Sequence, residues 1–198
     1  MIRAIFFDFY SVWTPDKIGY YLAYAELISP SIYKELFDAS EKYYQGDLSL
    51  DDLTGTFRYK LGAADIDQTS LKLNAKAISP EIANFMKSLH GHFVKVGVLA
   101  NLGPQEYEVL KQFNDANEII ETVISPYSLN LKLPLLDMEV FNKAFESIGE
   151  DAASSLYISG NPYHLAFAKA MSMQTFQYEG LKQLESTIDQ LLTQDVAV

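Results

Sequence analysis

The chain has 198 residues, of which 48% are hydrophobic, so it can bury the core of one domain and still carry an insertion. Its 26 acidic residues outnumber its 15 basic ones and give a net charge of −11, which argues against non-specific binding to nucleic acid or to an anionic membrane. It contains no cysteine, and this excludes a disulfide scaffold, a cysteine nucleophile and a cysteine zinc site. With no apolar run near the roughly 20 residues of a membrane span, we expect a cytoplasmic protein.

The first segment, residues 2–9, is a short apolar run that predicts a strand buried on both faces and ending at Asp8. Residues 16–78 then show apolar residues at helical spacing and predict three or four helices with no strand between them. One of these helices should begin at Ser49, a hydroxyl cap followed by two acids, and the last should span about Asp67 to Ala77.

After Pro80 the predicted elements alternate between helix and strand. Helices are expected over residues 81–89, 104–113, 136–149, 162–171 and 180–193, and strands over 94–100, 121–124, 155–159 and 175–178. Such alternation predicts an α/β fold with a Rossmann-like parallel sheet. We expect residues 1–14 and 80–198 to form this core, and residues 15–79 to form a separate all-helical cap.

Polar side chains stand at the predicted carboxyl ends of three strands: Asp8, Asn101, and the pair Ser159 and Asn161. Open α/β sheets bind their ligands at this edge, so these side chains should converge on one crevice. Each has a local alternative. Asp8 could cap the amides of the following loop, Asn101 could cap a helix, and Ser159 and Asn161 could satisfy turn backbone.

Taken together, these segments resemble the haloacid dehalogenase superfamily over nearly the whole chain. Members of that superfamily have a nucleophilic aspartate at the end of the first strand and often a helical cap inserted after it. Ala100-Asn101-Leu102-Gly103-Pro104 is similar to the family's Ser-Asn-Gly-x-Pro motif. The segment from Ser159 to His164, followed by Ala168-Lys169, is similar to its Ser-Ser-Asn-Ala-Trp-Asp motif.

Within the superfamily, the first motif resembles that of the 2-haloacid dehalogenases rather than that of the phosphatases. Phosphatases carry a second aspartate two residues after the nucleophile, whereas this chain has Tyr10 there. Other positions depart from both patterns: Ala100 replaces a hydroxyl, His164 replaces an acid, and Ser11 and Val12 replace Gly-Thr.

The resemblance also implies a catalytic lysine in the third motif, six residues before the position occupied by Phe141. That position holds Leu135, and Lys132 lies three residues earlier. Either an insertion lets Lys132 serve beside Asp8, or the lysine is lost.

A magnesium-dependent phosphatase needs several carboxylate ligands. Because Tyr10, Asn161 and Leu165 stand where the family pattern has acids, we expect no metal and no other cofactor. The expected site therefore comprises Asp8 and Lys132 as catalytic residues, with Tyr10, Asn101, Ser159 and Asn161 binding substrate.

The helical segment carries seven tyrosines, which could line a ligand site or, more in keeping with their helical spacing, pack its own helices. They are Tyr20, Tyr21, Tyr24, Tyr33, Tyr43, Tyr44 and Tyr59.

Two functions remain open on the sequence alone. One is a metal-free hydrolase of a small organic acid or related ester that uses Asp8 as nucleophile. The other is a pseudoenzyme that keeps the fold as a binding or interaction module. Both predict a small molecule as partner, with no nucleic acid and no membrane, and leave a homodimer open. The position of Lys132 relative to Asp8 should discriminate between them.

Overall fold

A computed structural model describes residues 1–73 and 79–194 of the chain. Its five strands form one parallel sheet in the order β3-β2-β1-β4-β5, which confirms the predicted α/β fold. The strands are β1 (Ala4–Phe7), β2 (Lys95–Leu99), β3 (Thr122–Ile124), β4 (Ser155–Ser159) and β5 (Gln174–Gln177).

In the described residues, five α-helices follow β1 before the next strand: α1 (Lys17–Ile28), α2 (Pro30–Tyr44), α3 (Leu50–Leu61), α4 (Gln68–Leu71) and α5 (Pro80–Leu89). The remaining helices alternate with strands: α6 (Pro104–Asn117), α7 (Met138–Ile148), α8 (Pro162–Ala170) and α9 (Leu181–Gln194). The helix predicted over residues 67–77 was too long, because α4 ends at Leu71; residues 74–78 lie outside the described part of the chain. None of the helices in that described part is long and apolar enough to cross a membrane.

Strand β1 is buried on both faces, as its continuous apolar sequence predicted. Ile5 and Phe7 belong to a core cluster that includes residues of α5, α6 and α9. Ala4 and Phe6 belong to a second cluster with residues of α7 and α8. Successive side chains point to opposite faces of a strand, so β1 holds the two helical layers of the core together.

The helices inserted after β1 enclose an apolar cluster of their own that includes Leu36, Tyr43, Leu53 and Phe57. Their ends follow the predicted capping rules: Ser49 accepts a hydrogen bond from the Asp52 amide at the start of α3, and Gly62 ends that helix with a φ of 64°. The separate cluster is compatible with the cap predicted over residues 15–79, whose independence as a domain stays a prediction.

The order of the strands places a crevice beside β1. The chain adds β2 and β3 on one side of β1 and then crosses to add β4 and β5 on the other. Ligands of open α/β sheets bind where the strand order reverses, outside the carboxyl ends. Phe7 pairs with Ile158, so the residues that follow them, Asp8 and Ser159, meet at this switch point.

Candidate active site

Asp8 is the buried carboxylate at the end of β1, with only 2% of its surface exposed. Its Oδ2 accepts hydrogen bonds from Ser159 Oγ at 2.5 Å and from His164 Nδ1 at 3.1 Å. Because an ionised carboxylate only accepts, the bond to His164 places a proton on Nδ1. Both donors use the same oxygen. No residue in the ranges 1–73 and 79–194 donates a hydrogen bond to the other oxygen, Oδ1. The carboxylate is held by side chains rather than by amides of the following loop.

The turn from β4 into α8 orients both donors. Asn161 caps α8, accepting a hydrogen bond from the Tyr163 amide through Oδ1 at 2.9 Å, and Pro162 opens the first turn. This start places His164 within that turn, facing Asp8. Ser159 Oγ also accepts a hydrogen bond from the Asn161 amide at 3.0 Å, which directs its own hydrogen to Asp8.

The loop after β1 is fixed against the same turn. The Gly160 amide donates to Ser11 Oγ at 2.9 Å, and Ser11 has a left-handed φ of 71°. A Cβ at Gly160 would lie 2.8 Å from the Ser11 side chain, so this close approach requires glycine. A hydrogen bond and a close contact therefore join the two loops that carry Asp8 and His164.

A cavity of about 450 Å³ lies over these strand ends, between the sheet and helices α1 and α2. Its sheet wall is built from the loops at the strand ends and the first turn of α8: Asp8, Tyr10, Ser11, Asn101, Leu136, Asn161, Tyr163 and His164. Its helix wall comes from the start of α1 and one side of α2: Asp16, Gly19, Leu22, Tyr33, Phe37, Ser40, Glu41 and Tyr44.

The two asparagines predicted to bind substrate differ in whether the side-chain oxygen already accepts a hydrogen bond. Asn161 lines the cavity, but its Oδ1 already caps α8. Asn101 also lines the cavity, and its Oδ1 is buried with no hydrogen-bond partner among the described residues. Helix α6 is capped by Gly103, so Asn101 is not the helix cap that the local alternative predicted. The carbonyl of Asn101 is thus an acceptor that the described residues leave without a hydrogen bond.

Beside the cavity, a second buried acid links helix α6 to helix α2. Glu106 is fully buried, and its Oε2 accepts a hydrogen bond of 2.5 Å from the Tyr43 hydroxyl. Burial raises the pKa of Glu106, and the hydrogen bond from Tyr43 opposes that rise. A Cβ at Gly103 would lie 2.3 Å from the Tyr43 ring, so the glycine of the second motif makes room for this contact.

Tyr10 belongs both to the cavity wall and to the surroundings of Glu106. It lines the cavity, packs its ring against Phe9 and neighbours Glu106. Burial, and then the charge of Glu106, raise the pKa of its phenol well above the usual value. Tyr10 therefore remains a neutral hydroxyl at physiological pH and is unsuited to replace the acid of a phosphatase.

The structure does not bring Lys132 to Asp8. Its ammonium donates to the Gln45 carbonyl at 3.1 Å and pairs with Asp47 Oδ1 at 2.5 Å, and about half of its side chain is exposed. Leu135 is buried in the core cluster of α7 and α8, and Leu136 lines the cavity instead. Lys132 therefore holds the loop after β3 to the end of α2, and the expected lysine position is apolar.

His164 is the site residue that the sequence prediction missed. It was identified as a departure from the family's acid, but not as a partner of Asp8. The available signal was its place in the first turn of a helix that follows the Ser159 strand end. Because that turn faces Asp8, a basic residue there lies within hydrogen-bond distance of the carboxylate.

Some of the seven tyrosines of the inserted helices fill one of the two predicted roles, and others fill neither. Tyr43 and Tyr44 are buried in the cluster of those helices, as helical spacing favoured. Tyr33 and Tyr44 also line the cavity, while Tyr20, Tyr24 and Tyr59 are exposed.

The cavity is acidic. Asp8, Asp16 and Glu41 line it, His164 is the one basic side chain among its described lining residues, and no lysine or arginine is among them. Burial raises the pKa of Asp16 and, helped by the charge of Asp38, the pKa of Glu41. An anionic ligand would meet repulsion here with little to offset it.

These residues do not fit a magnesium site of the phosphatase type. Mg²⁺ binds through carboxylates in octahedral geometry. Here Asp8 Oδ2 faces two hydrogen-bond donors, and Tyr10 and Asn161 provide no charge. No group of three or more histidine, aspartate or glutamate side chains with metal-binding geometry occurs in residues 1–73 and 79–194.

Comparison with known proteins relates the chain to solved structures only. No protein-family model matches it, and a search of curated proteins finds no relative. A predicted HAD-like family hydrolase from Porphyromonas gingivalis superposes with a TM-score of 0.65 at 19% identity, over 96% of this chain and 98% of that one. The chain has the fold of the haloacid dehalogenase superfamily.

Two further structures with this haloacid dehalogenase fold represent different chemistries. L-2-haloacid dehalogenase from Xanthobacter autotrophicus, with chloropropionic acid covalently bound, gives a TM-score of 0.59 at 18% identity, over 93% of this chain and 80% of that one. A HAD family enzyme from Bacteroides thetaiotaomicron, in complex with magnesium and inorganic phosphate, gives 0.62 at 13% identity, over 90% and 95%. At these identities the likeness establishes the fold, and the chemistry has to be argued from the site.

Proposed function

We propose that this protein is a metal-independent hydrolase in which Asp8 is the nucleophile. One observation carries the proposal: Ser159 and His164 both bind Oδ2 of a buried, cavity-lining aspartate and leave Oδ1 without a donor among the described residues. An aspartate arranged in this way has one oxygen that is held and one that can attack. In this arrangement His164 takes the place that the sequence analysis gave to Lys132.

In the first step, Asp8 Oδ1 attacks an electrophilic carbon of the substrate R–X. A carbon–oxygen bond forms as the carbon–X bond breaks, and X leaves with the bonding electrons as an anion. The product is an ester of Asp8. No acid is needed if X is a halide or a carboxylate, which agrees with the high pKa of the Tyr10 phenol.

In the second step, water attacks Cγ of the ester and Oδ2 becomes an oxyanion. The Ser159 hydroxyl and the His164 Nδ1–H already donate to that atom, at 2.5 and 3.1 Å, and therefore form an oxyanion hole. The ester bond then breaks, the alcohol R–OH leaves, and Asp8 returns as a carboxylate. The balance is R–X plus water giving R–OH, X⁻ and a proton.

The cavity limits the substrate to a small molecule, since its volume is about 450 Å³. The sequence favoured a small organic acid or a related ester. The acidic lining supports the ester or an uncharged halide and argues against the acid, because a substrate carboxylate would approach Asp8, Asp16 and Glu41 without a described lysine or arginine to bind it.

An activity screen on carboxylic esters, haloalkanes, 2-haloacids and phosphoesters, with magnesium or with a chelator, tests this proposal. The expected result is turnover of an ester or a halide that is unchanged by the chelator and is lost in Asp8→Asn. Turnover confined to phosphoesters and dependent on magnesium would overturn it, and so would activity that Asp8→Asn retains.

A binding module without turnover is the second candidate, and the displacement of Lys132 to Asp47 favours it. In that case Asp8 serves only structure, and Asp8→Asn should lower the free energy of unfolding by about 1 kcal/mol, since it weakens buried hydrogen bonds. In the hydrolase, the same substitution leaves stability unchanged or raises it, because active-site charges are commonly strained. Denaturant unfolding of both proteins separates the two.

A further inference from the structure

One side of helix α2 faces the cavity. The residues that line it recur at the spacing of a single helix face: Tyr33, Phe37, Ser40, Glu41 and Tyr44. The Ser40 hydroxyl is already used, since it donates to the Leu36 carbonyl at 2.8 Å. What α2 presents to a ligand is therefore three aromatic rings and one carboxylate.

The aromatic rings form a surface suited to a cation. Tyr33 and Phe37 are stacked, with ring centroids 5.9 Å apart and planes inclined by 29°. Tyr44 lies one helical turn beyond Ser40 and is only 6% exposed. The face of an aromatic ring carries negative charge density, and cavities that bind alkylated ammonium groups are walled in this way.

No lysine or arginine among the described lining residues pairs with the carboxylates beside these rings, and the basic group whose charge lowers the pKa of Asp16 is His164. Glu41 belongs to the same face, and Asp16 stands opposite at the start of α1. Asp16 Oδ1 caps α1 through the Gly19 amide at 2.7 Å, and a Cβ at Gly19 would lie 2.3 Å from Oδ2. The glycine therefore makes room for this carboxylate at the edge of the cavity. Burial raises the pKa of both acids, because it disfavours their charged forms. A positive group of a ligand would offset this desolvation of the carboxylates.

The sheet wall adds an independent sign of a missing donor. Asn101 Oδ1 is buried in the cavity wall without a partner in the described part of the chain. A buried acceptor without a hydrogen bond costs free energy, which a ligand hydroxyl or N–H would recover once the Asn101 side chain turns to face the cavity. The helix wall is thus complementary to a positively charged group of a ligand, and the sheet wall to a hydrogen-bond donor.

We propose that the cavity binds a small molecule bearing an organic ammonium group. The ammonium lies among Tyr33, Phe37 and Tyr44, against the carboxylates of Asp16 and Glu41, and a donor of the same molecule reaches Asn101. The recognition of the ammonium stands on the cavity alone. Only the placement of the reacting carbon at Asp8 rests on the proposed hydrolase function.

Choline and neohexyl alcohol test this proposal as a matched pair, since carbon replaces the quaternary nitrogen in the second and both keep the hydroxyl. Calorimetric titration of the full chain should give a choline affinity at least about 10-fold higher than that for the alcohol, the size of one cation–aromatic contact removed from water. Butyrate serves as the anionic probe and should not bind. Choline should also raise the midpoint of thermal unfolding at constant ionic strength.

Variants locate the effect. Glu41→Gln and Asp16→Asn should each reduce the preference for choline, and asparagine can still cap α1 at position 16. Glu185→Gln, which removes one negative charge from α9, should leave it unchanged. Circular dichroism verifies that each variant is folded.

Equal affinity for choline and the alcohol would overturn the proposal, as would stronger binding of butyrate, no binding of any probe, or an unchanged preference in both cavity variants. The proposed hydrolase fails separately. Choline binding with no turnover in the activity screen would contradict the hydrolase alone, and turnover without an ammonium preference would contradict this inference alone.

Discussion

The two walls of the cavity differ in how their polar groups are held. On the sheet wall, Asp8, Ser159 and His164 are joined by hydrogen bonds, and the loops that carry them are fixed by glycine at a close approach. On the helix wall, Asp16 caps α1 and the Ser40 hydroxyl bonds to the Leu36 carbonyl, but the rings of α2 line open space and the Glu41 carboxylate accepts no hydrogen bond from the described residues. A rigid hydrogen-bonded group suits a reaction, and an open aromatic and acidic surface suits the selection of a ligand.

The largest expected effect is a loss of turnover, without a matching loss of ligand binding, when Asp8 on the sheet wall is replaced. Asp8→Asn should lower the turnover of any substrate found by at least about 1,000-fold, since it removes the attacking oxygen of the proposed mechanism. Choline affinity should change by less than about 5-fold, because the rings and acids of the helix wall remain. Steady-state kinetics and calorimetric titration measure the two effects on one preparation. Loss of binding together with turnover would break the distinction between the walls.

The oxyanion hole is the next test of the sheet wall. Ser159→Ala removes a donor to Oδ2 and should lower kcat by about 100-fold, the usual effect of losing one such donor. His164→Gln should lower kcat as well, with little effect on KM, because the donors act on the ester intermediate. The control is Tyr163→Phe, which keeps an aromatic ring at the cavity edge and loses only a hydroxyl. A rise in KM with kcat unchanged would show that Ser159 binds substrate instead.

A third test concerns stability where the helices meet the core. Tyr43→Phe removes the 2.5 Å hydrogen bond between α2 and Glu106 and leaves a buried carboxyl oxygen without that donor. The expected loss in the free energy of unfolding is about 1–3 kcal/mol. Tyr59→Phe, at an exposed position of α3, is the matched control and should have no effect. Urea denaturation distinguishes them, and equal stability of the two variants would contradict this assignment.

The raised pKa of Glu106 gives that contact a pH dependence of known sign. A carboxyl group whose pKa is higher in the folded than in the unfolded state binds a proton more tightly when folded. Its stabilising effect is full below the unfolded pKa and is lost as the pH rises through the folded pKa. Glu106→Gln should therefore be most favourable, relative to the parent, at alkaline pH. Unfolding curves from pH 4 to 8 that show the opposite trend would contradict a raised pKa.

The smallest expected effect is at Lys132. Its pair with Asp47 is exposed on both sides, so Lys132→Met should cost no more than about 1 kcal/mol of stability. Turnover should stay within about 2-fold of the parent, because the ammonium does not reach Asp8. A large loss of turnover in this variant would restore the lysine to the catalytic role that the sequence suggested.

Particular residues show which features of the fold and of the site could be predicted from the sequence. The strand that ends at Asp8, the cap at Ser49 and the alternation after Pro80 follow from local patterns, and the structure has them. The partner of Asp8 did not follow from spacing. Whether Lys132 reaches the carboxylate depends on how the loop after β3 folds onto the end of α2, and no local pattern encodes that contact.

Contacts between distant elements were equally hidden. Tyr43 and Glu106 are 63 residues apart and meet only because Gly103 lets the α2 ring approach the start of α6. The sequence could predict that Tyr33, Phe37 and Glu41 share one face of α2, because their spacing is helical. It could not be told from core packing until the position of the sheet relative to that face was known.

The most direct test of the central claim follows the oxygen atoms of Asp8. The protein is taken through many turnovers in water labelled with oxygen-18, using a substrate from the activity screen, and the tryptic peptide Ala4–Lys17 is then weighed by mass spectrometry. If Asp8 forms an ester that water opens at Cγ, the peptide gains heavy oxygen, and the gain maps to Asp8 and not to Asp16 on fragmentation. Repeated turnover with heavy oxygen found only in the alcohol product would contradict the account, since water would then attack the substrate directly.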